Sequence, residues 1–438
     1  MEILIVGGGY IGMYTARRLE RLLRRGEARV TVVDPRGYMT YQPFLAETAG
    51  GSVEPRHVIA PLPRVLRHTR VLTGKIVRID LASRLAVFVP ARGPERVLRY
   101  DVLVLAAGSV SRVLPVEGLA EYGAGFKTVS EAVHLRNHVL GQLAAAASAD
   151  DPAIRAAALT FVVVGGGFAG VEALAELQGL ADEAVRFYPA LDPDALRWVL
   201  VEATGGILPE LDERLGRWTL RALKRRGVDV RLHTRLASAA HGTVRLDDGT
   251  ALAAGTLVWA AGVRPSPLGA SAGLPADKAG RIQVGADLAV TGVPGVFAAG
   301  DIAAVPDLSR PGEFCAPNAQ HAVRQAKVLA RNIVAFARGG QLKPYRHAYV
   351  GSVAGLGHHQ GVAQVYRIRL TGFAGWLAHR VYHLFWVPTL GHKARVLADW
   401  TLALFFRRET AQLTSLEHPA DDFRDALRDA PRDAFRAA

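Results

Sequence analysis

An α/β fold built from two similar strand–turn–helix units is predicted, and two glycine-rich turns carry the prediction. One turn, GGGYIGMYTA, begins at Gly7, and the other, GGGFAGVEAL, begins at Gly165. Each follows a hydrophobic run typical of a buried parallel strand and precedes a segment of helix-forming residues. A chain of 438 residues is long enough for two or three domains. We therefore expect the two turns to lie in separate domains.

The first unit has the spacing Gly7-x-Gly9-x-x-Gly12, and its next strand ends at Asp34. The first glycine of such a turn permits the tight bend, the second lets the backbone approach a pyrophosphate, and the third lets helix and strand pack closely. The pyrophosphate lies at the helix N-terminus, and the acid accepts ribose hydroxyls. These features predict a Rossmann-like dinucleotide-binding domain.

The second unit repeats the pattern as Gly165-x-Gly167-x-x-Gly170, with Glu202 at the end of the following strand. An acid at that position favours NADH over NADPH, because a 2'-phosphate would meet a like charge. A chain with two such sites usually binds FAD and a nicotinamide cofactor. The sequence therefore predicts a pair of Rossmann-like dinucleotide-binding domains.

Three further strands lead into small residues where the backbone passes close to a cofactor. The strands near 100–109 and 255–263 run into Ala-Ala-Gly, and VPGVFAAGDIA at 293–303 runs into Gly300-Asp301. The spacing leaves two interpretations of Asp301 open. It either takes a ribityl hydroxyl or orients a phosphate through water, or it caps the helix that follows.

Composition limits the partners and the chemistry. The 53 basic and 40 acidic residues give a net charge of +13, which favours an anionic partner such as a nucleotide, a nucleic acid or a lipid surface. The single cysteine, Cys315, cannot form an internal disulfide or a thiolate metal cluster, so redox chemistry would need a cofactor. The opening MEILIVGGG lacks the features of a signal peptide, which predicts a cytoplasmic protein. No apolar stretch approaches the roughly 20 residues of a spanning helix.

The segment KARVLADWTLALFFRRE near the C-terminus predicts a helix that contacts both protein and bilayer. One helical stripe contains Val396, Leu397, Trp400 and Leu404. Further apolar side chains lie outside that stripe, and basic residues flank it: Leu402, Phe405, Phe406, Lys393, Arg395, Arg407 and Arg408. Such a segment is typical of a membrane-associating region. The alternative is a homodimer core, and both can hold.

The sequence resembles the flavoproteins with two dinucleotide-binding domains, and within them the type II NADH dehydrogenases, which are non-proton-pumping NADH:quinone oxidoreductases. The resemblance covers nearly the whole chain. Its segments are GGGYIG, YQPFLAETAGG, FKTVSEAVHLRNHVL, GGGFAGVEALAEL, WAAGV, VFAAGDIA, APNAQHAVRQA and WLAHRVYHLFW. The segment from Ala319 to Gln325 and the aromatic C-terminal region single out this family. The chain departs from the family at Val323-Arg324, where a polar pair is common.

The resemblance implies FAD as the cofactor, NADH as the substrate and a membrane quinone as the electron acceptor. The residues implied to bind FAD are Gly7, Gly9, Gly12, Asp34, Pro43, Phe44, Ala107, Gly108 and Asp301. Those implied to bind NADH are Gly165, Gly167, Gly170 and Glu202. Gln320 would line the quinone site, with Gln325 on the same helix. No metal site is expected.

Glu172 is the ionisable group at the start of the second nucleotide-binding helix, where nicotinamide and flavin are expected to meet. A carboxylate pointing toward a pyrophosphate would be repelled, so its presence suggests a proton relay or a nicotinamide contact. The alternative is an acid stabilised by the helix dipole by roughly 0.3 to 1 kcal/mol. Gln320 can offer both a donor and an acceptor to a quinone carbonyl.

These inferences together predict a domain organisation and a function. The predicted parts are a discontinuous FAD-binding domain, an NADH-binding domain, a membrane-surface or dimer region and a flexible tail, at 1–125 with 267–345, 126–266, 346–416 and 417–438. The expected protein is a peripheral-membrane NADH:quinone oxidoreductase, homodimeric, at the cytoplasmic face of the cell membrane. It would contact anionic lipid and no nucleic acid. The alternatives are a soluble FAD-dependent NADH oxidase and a flavin-bound NADH sensor without turnover.

Overall fold

A computed structural model describes residues 1–347, 350–357, 359–413, 421 and 424. The predicted flexible tail at 417–438 therefore lies outside the described residues except at two positions. The α-helices of the described part are α1 Tyr10–Leu22, α2 Leu45–Ala49, α3 Leu62–Val65, α4 Leu119–Tyr122, α5 Val129–Ser148, α6 Pro152–Ala158, α7 Phe168–Ala184, α8 Glu213–Arg225, α9 Leu268–Ser271, α10 Ala319–Ala337, α11 Gly372–Trp386 and α12 Leu390–Phe405.

The β-strands form two large sheets and several small ones. In chain order they are β1 Glu2–Val6, β2 Arg29–Asp34, β3 Tyr38–Thr40, β4 Ile59–Pro61, β5 Arg70–Asp80, β6 Leu85–Pro90, β7 Arg96–Arg99, β8 Val102–Leu105, β9 Ser109–Ser111, β10 Gly123–Gly125, β11 Thr160–Val164, β12 Arg197–Val201, β13 Asp229–Arg231, β14 Leu236–Ala240, β15 Thr243–Leu246, β16 Ala251–Ala253, β17 Thr256–Trp259, β18 Val263–Pro265, β19 Ile282–Gln283, β20 Val296–Ala298, β21 Ala303–Ala304, β22 Gly351–Gly355, β23 Gly361–Val365 and β24 Ile368–Thr371.

The first large sheet has the strand order β20-β8-β1-β2-β5-β6-β7. Strands from β20 to β5 pair in parallel, and β5, β6 and β7 pair antiparallel. Consecutive residues of β1 point to opposite faces, and all four from Ile3 to Val6 are buried, so both faces of the sheet are covered. Strand β20 joins this sheet from a much later part of the chain.

The second large sheet is entirely parallel, in the order β10-β17-β11-β12-β13. Strand β11 is buried along its whole length. Each glycine-rich turn therefore follows the carboxyl end of a central strand of its own sheet, which is where ligands bind in open α/β folds. The α/β class with two dinucleotide-binding units is confirmed. The domain boundaries predicted from the sequence remain a prediction.

The C-terminal region contains the antiparallel sheet β22-β23-β24 and the helices α11 and α12. Helix α11 lies very close to β23, since a Cβ atom added at Gly375 would be 2.3 Å from the carbonyl oxygen of Gly361. The residues of the stripe predicted on α12 differ in their exposure to solvent. Val396 and Trp400 are buried against the first domain, whereas Leu397 and Leu404 are exposed. None of the helices in the described part is both long and apolar enough to cross a membrane.

Candidate active site

The two glycine-rich turns are held by the same arrangement of hydrogen bonds. In the first, the backbone N–H of Gly8 donates to Asp34 Oδ2 at 2.8 Å. In the second, the backbone N–H of Gly166 donates to Glu202 Oε2 at 2.6 Å. Each acid therefore holds its turn through one carboxylate oxygen. The other oxygen accepts hydrogen bonds from the residues after the strand: Asp34 Oδ1 from the backbone of Arg36 and Gly37, and Glu202 Oε1 from Thr204.

Close backbone packing explains the glycine at both ends of each turn. A Cβ atom at Gly12 would lie 1.8 Å from the carbonyl oxygen of Gly7, and one at Gly170 would lie 1.9 Å from that of Gly165. Gly7 and Gly165 also adopt φ angles of 105° and 118°, which favour glycine. A Cβ atom at Gly9, in contrast, meets no atom within 4 Å, so that position is open toward a ligand.

A cavity of about 760 Å³ extends along the first turn. The predicted FAD-binding residues that line it are Gly7, Gly9, Asp34, Ala107, Gly108 and Asp301. The open face of the turn, the acid at the end of β2 and the small residues after β8 together suit a dinucleotide with a pyrophosphate at the start of α1. The residues present therefore fit FAD.

Asp301 lies in a short 3-10 helix, Gly300–Ile302, and a strand follows it, so its interpretation as a cap of the next helix is wrong. Its Oδ2 accepts a hydrogen bond from the hydroxyl of Ser109 at 2.6 Å, and Lys127 Nζ donates to the same hydroxyl oxygen at 3.0 Å. Burial lowers the pKa of Lys127, and the charges of Asp301 and Glu131 oppose that shift. Lys127 lies in the segment FKTVSEAVHLRNHVL, and its place beside Asp301 follows only from the tertiary structure.

A second cavity, of about 420 Å³, connects the second turn with the C-terminal region. Its lining includes four residues of the predicted site, namely Pro43, Gly167, Glu172 and Gln320. Aromatic and basic side chains complete it from α10 and α11: Arg324, Tyr382, His383 and Trp386. Arg324, where the chain departs from the family pattern, lies over the ring of Trp386 at 5.2 Å from its centroid.

Gln320 is held in place by the segment before β22. Its Nε2 donates to the carbonyl oxygen of Gly351 at 3.1 Å, and its Oε1 accepts from the backbone N–H of Val350 at 3.2 Å. The amide therefore reaches the cavity in a fixed orientation.

Two of the predicted residues lie behind the cavity walls. Gln325 is 1% exposed, and its Oε1 accepts a hydrogen bond from the backbone N–H of Gly300 at 2.8 Å. Phe44 is fully buried and packs edge-on against Tyr41 and Trp400. Neither side chain lines the two cavities, so the geometry gives both a positioning role. Their predicted contacts with substrate or cofactor remain a prediction.

Glu172 is the fifth residue of α7, beyond the first helical turn, and its carboxylate has specific partners. Its Oε1 accepts a hydrogen bond from the backbone N–H of Gly355 at 2.8 Å and lies 3.3 Å from His379 Nε2. The other ring nitrogen of His379, Nδ1, lies 4.0 Å from Glu47 Oε1. Both carboxylates and the imidazole are nearly enclosed by protein. The three groups form a chain of titratable side chains that begins at the cavity.

The inner end of this chain is a buried charge cluster that sequence reasoning missed. Trp400 Nε1 donates to Glu47 Oε2 at 2.6 Å, and Arg380 NH2 lies 3.8 Å from the same oxygen. Burial raises the pKa of Glu47, and the charge of Arg380 opposes that shift. The one sign of this cluster in the sequence is the acid Glu47 within the apolar segment YQPFLAETAGG. Burying its carboxylate requires a nearby cation.

Cys315 is buried, and burial raises the pKa of its thiol to about 11. A neutral thiol is a poor nucleophile, so the structure supports a packing role for this residue.

Several histidines near the second cavity make stability depend on pH. Burial lowers the pKa of His383 well below 6.5 and that of His347 to about 4. These groups bind a proton more readily in the unfolded chain, so their stabilising effect is present above pH 6.5 and is lost as the pH falls toward 4. Denaturant unfolding is expected to show a loss of stability as the pH falls from 7 to 5, and for His383 the slope should approach about 1.4 kcal/mol per pH unit once the pH is well below 6.5. His383→Gln should reduce this slope, and His68→Gln, at an exposed position, should leave it unchanged. Equal slopes in all three proteins would contradict the assignment.

The paired turns, each with its acid, define a class of oxidoreductases that hold two dinucleotides. A family model described as pyridine nucleotide-disulphide oxidoreductase matches residues 1–326. The chain is 30% identical to the type II NADH:quinone oxidoreductase Ndh of Mycobacterium tuberculosis, over 96% of this chain and 91% of the relative. It is 31% identical to NdhA of the same organism, over 92% of this chain and 87% of the relative. The chain belongs to the pyridine nucleotide-disulphide oxidoreductases and, within them, to the type II NADH:quinone oxidoreductases.

Solved structures agree with this assignment at the level of the fold. The structure of NDH2 from Plasmodium falciparum in complex with NADH superposes with a TM-score of 0.87 at 18% identity. The match covers 94% of this chain and 99% of that one. The shared fold therefore includes the C-terminal region beyond the two dinucleotide-binding units. FAD is the cofactor and NADH the substrate that the two turns fit.

Proposed function

We propose that this protein oxidises NADH and passes the electrons through FAD to a quinone, as a peripheral enzyme of the cytoplasmic face of the cell membrane. The observation that carries the proposal is the second cavity, because it joins the second glycine turn to the wall formed by Gln320 and α11. An enzyme that transfers electrons between a dinucleotide and a second substrate needs both to reach one redox centre.

FAD supplies the redox chemistry when bound, by accepting a hydride from NADH and passing electrons to the quinone. The first turn and Asp34 would hold its pyrophosphate and ribose, and Asp301 with Ser109 would hold its ribityl chain. The second turn and Glu202 would hold NADH. The amide of Gln320, fixed by its bonds to the backbone, would orient a quinone carbonyl.

Quinone reduction also consumes protons, and we propose that Glu172 delivers them. Its Oε1 lies 3.3 Å from His379 Nε2, and His379 Nδ1 lies 4.0 Å from Glu47 Oε1, so proton exchange along this row would need the imidazole to move into hydrogen-bonding distance of both carboxylates. The backbone N–H of Gly355 keeps the carboxylate aimed at this partner.

A flavin spectrum tests the proposal directly. NADH added under argon is expected to bleach the flavin absorbance of the purified protein, and a quinone added afterwards is expected to restore it. Recovery with oxygen alone would favour an NADH oxidase. Bleaching without steady NADH consumption in the presence of quinone would favour a sensor.

The choice between NADH and NADPH depends on Glu202. Glu202→Arg is expected to weaken NADH use and improve NADPH use, because a phosphate partner replaces an acceptor of ribose hydroxyls. Ratios of kcat/KM for the two cofactors measure the effect, with Glu213→Arg, an exposed acid at the start of α8, as the charge-matched control. An unchanged ratio in the Glu202 variant would contradict the placement of the second site.

Attachment to the membrane is proposed through an apolar face of α11 and α12. The exposed apolar residues of these helices and of the position that follows are Phe373, Leu377, Val381, Phe385, Leu390, Leu397, Leu402, Leu404, Phe405 and Phe406. Side chains of this kind on adjacent helices insert into the interface of a bilayer.

Substitution of this face should release the protein from vesicles. The triple variant Leu397→Ser, Leu404→Ser, Phe405→Ser is expected to bind at least tenfold more weakly, since each large apolar group contributes about 1.5 to 3 kcal/mol when fully buried. The matched control is Val77→Ser, Val97→Ser, Ile154→Ser, at exposed positions of other elements. Vesicle cosedimentation measures both, and equal losses would contradict this placement.

We propose the domain division at 1–125 with 267–345, 126–266 and 346–416 as the sequence predicts it. The predicted homodimer would use the same exposed face of α11 and α12 as its subunit contact. Light scattering of the Leu397, Leu404 and Phe405 variant separates the two uses of the face. A dimer that persists while vesicle binding is lost would place the subunit contact elsewhere.

A further inference from the structure

A third cavity lies away from the candidate active site, where α1 and the residues around α3 meet the start of α12. Its volume is about 560 Å³. The charged side chains in its lining are Arg17, Arg21, Arg64, Arg67, Arg395 and Glu20. Five guanidinium groups thus share one cavity with one carboxylate.

That carboxylate is already engaged, because Glu20 Oε1 accepts hydrogen bonds from the backbone N–H of His68 and the hydroxyl of Thr69, both at 2.8 Å. Among the residues that the structure describes, no aspartate or glutamate lies within 4.0 Å of a guanidinium nitrogen of the five arginines. Arginine stays charged at any physiological pH. Five arginines and one glutamate therefore give the described lining of the cavity a net positive charge.

His392, at the start of α12, lies in the lining of this cavity among the arginines. His392 is buried, and burial followed by the positive charges of Arg395 and Arg64 lowers its pKa. Arg64 lies on α3 and Arg395 on α12, so arginines from different elements line one cavity. Holding like charges together is unfavourable unless an anion compensates them.

The cavity also borders the apolar face proposed to enter the membrane. Leu390 precedes the lining residues of α12 and is 83% exposed, and Leu397 follows Arg395 by two positions and is 52% exposed. When such side chains enter the acyl boundary of a bilayer, the adjacent cations lie at the depth of the headgroups.

We propose that this cavity binds the phosphate of an anionic phospholipid headgroup, with Arg64, Arg67 and Arg395 as its main contacts. The planar guanidinium group matches phosphate oxygens in paired hydrogen bonds, and an anionic headgroup reaches the cavity from the surface beside Leu390. The inference rests on the proposed attachment to a membrane and adds a specific lipid contact to it.

The test compares two variants of equal charge on vesicles. One carries Arg64→Gln, Arg67→Gln and Arg395→Gln, and the other carries Arg221→Gln, Arg225→Gln and Arg245→Gln, at exposed positions elsewhere. Binding to phosphatidylcholine vesicles containing phosphatidylglycerol is expected to fall about 100-fold in the first variant, since each basic group near an anionic surface contributes about fivefold. The second should lose less than about fivefold, and turnover with a water-soluble quinone should be the same in both.

Four results would count against the proposal. Equal losses in the two variants would mean that only overall charge matters, and the cavity would have no specific role. A thermal stabilisation by inorganic phosphate or glycerol phosphate that the first variant loses, with vesicle binding unchanged, would identify a free phosphate instead of a lipid. If the parent protein bound no vesicle of any composition, the proposed membrane attachment itself would be wrong. If the parent and the cavity variant bound vesicles equally well, only the proposed role of the cavity would be wrong.

Discussion

Glu172→Gln is expected to lower quinone-coupled turnover by about 10²- to 10⁴-fold, which is the usual contribution of a positioned general acid or base. The amide keeps the hydrogen bond from the backbone N–H of Gly355 but cannot exchange a proton with His379. FAD should remain bound, because the first turn and Asp34 are untouched. Stopped-flow reduction by NADH and reoxidation by quinone, each across pH, measure the two half-reactions separately.

The companion variants decide what Glu172 does. His379→Gln should slow the same half-reaction and shift the same pH profile, because it removes the next group in the chain. Glu121→Gln makes the same change of charge at an exposed position and should match the parent. A loss confined to NADH affinity would indicate a nicotinamide contact. Unchanged half-reactions and pH profiles in the Glu172 variant would mean that the relay does not exist.

Gly12→Ala is expected to abolish FAD binding while Gly170→Ala spares it. A Cβ atom at either position would overlap the carbonyl oxygen of the first glycine in its own turn, at 1.8 Å and 1.9 Å respectively. Relief of such an overlap requires the turn to open, which misplaces the backbone N–H groups that face the pyrophosphate. Flavin content after purification and the KM for NADH measure the two effects.

Gly12→Ala and Gly170→Ala are expected to affect different ligands, so the two variants together test which turn binds which dinucleotide. Gly170→Ala should retain flavin and raise the KM for NADH at least tenfold, because the damage is confined to the second turn. Gly206→Ala is the control, since a Cβ atom there meets no atom within 4 Å and the residue lies in the same domain as Gly170. Loss of flavin from the Gly170 variant would contradict the assignment of one dinucleotide to each turn.

Local features of the fold were predictable because their causes lie within a few residues. The hydrophobic run before Gly7 is β1, and the helix-forming segment expected after the first turn is α1, which begins within that turn at Tyr10. Strand periodicity and helix-forming composition act locally, and the glycine turn follows from the geometry of a strand that runs directly into a helix. The departures at element ends amount to a few residues.

The candidate site was predictable only where it repeats that local pattern. Asp34 and Glu202 were identified from their position at the end of the next strand, and the structure adds that each accepts a hydrogen bond from its turn. Their contact with ribose remains a prediction. Asp301 had two interpretations that sequence could not separate, and the contact with Ser109 together with the strand after it removed one of them. Gln325 was grouped with Gln320 by motif, yet only the structure shows that it is buried behind the wall.

The sequence by itself determined that this chain folds around two dinucleotide-binding turns with an acid for each, because those features depend on near neighbours along the chain. The tertiary structure decided which side chain Glu172 faces, since His379 and Glu47 come from distant segments that meet only when α11 packs against the first two units. It also decided which side of α12 is buried. Helical periodicity places Val396 and Leu397 next to each other on a stripe, whereas the packing of α12 against the first domain buries one and exposes the other.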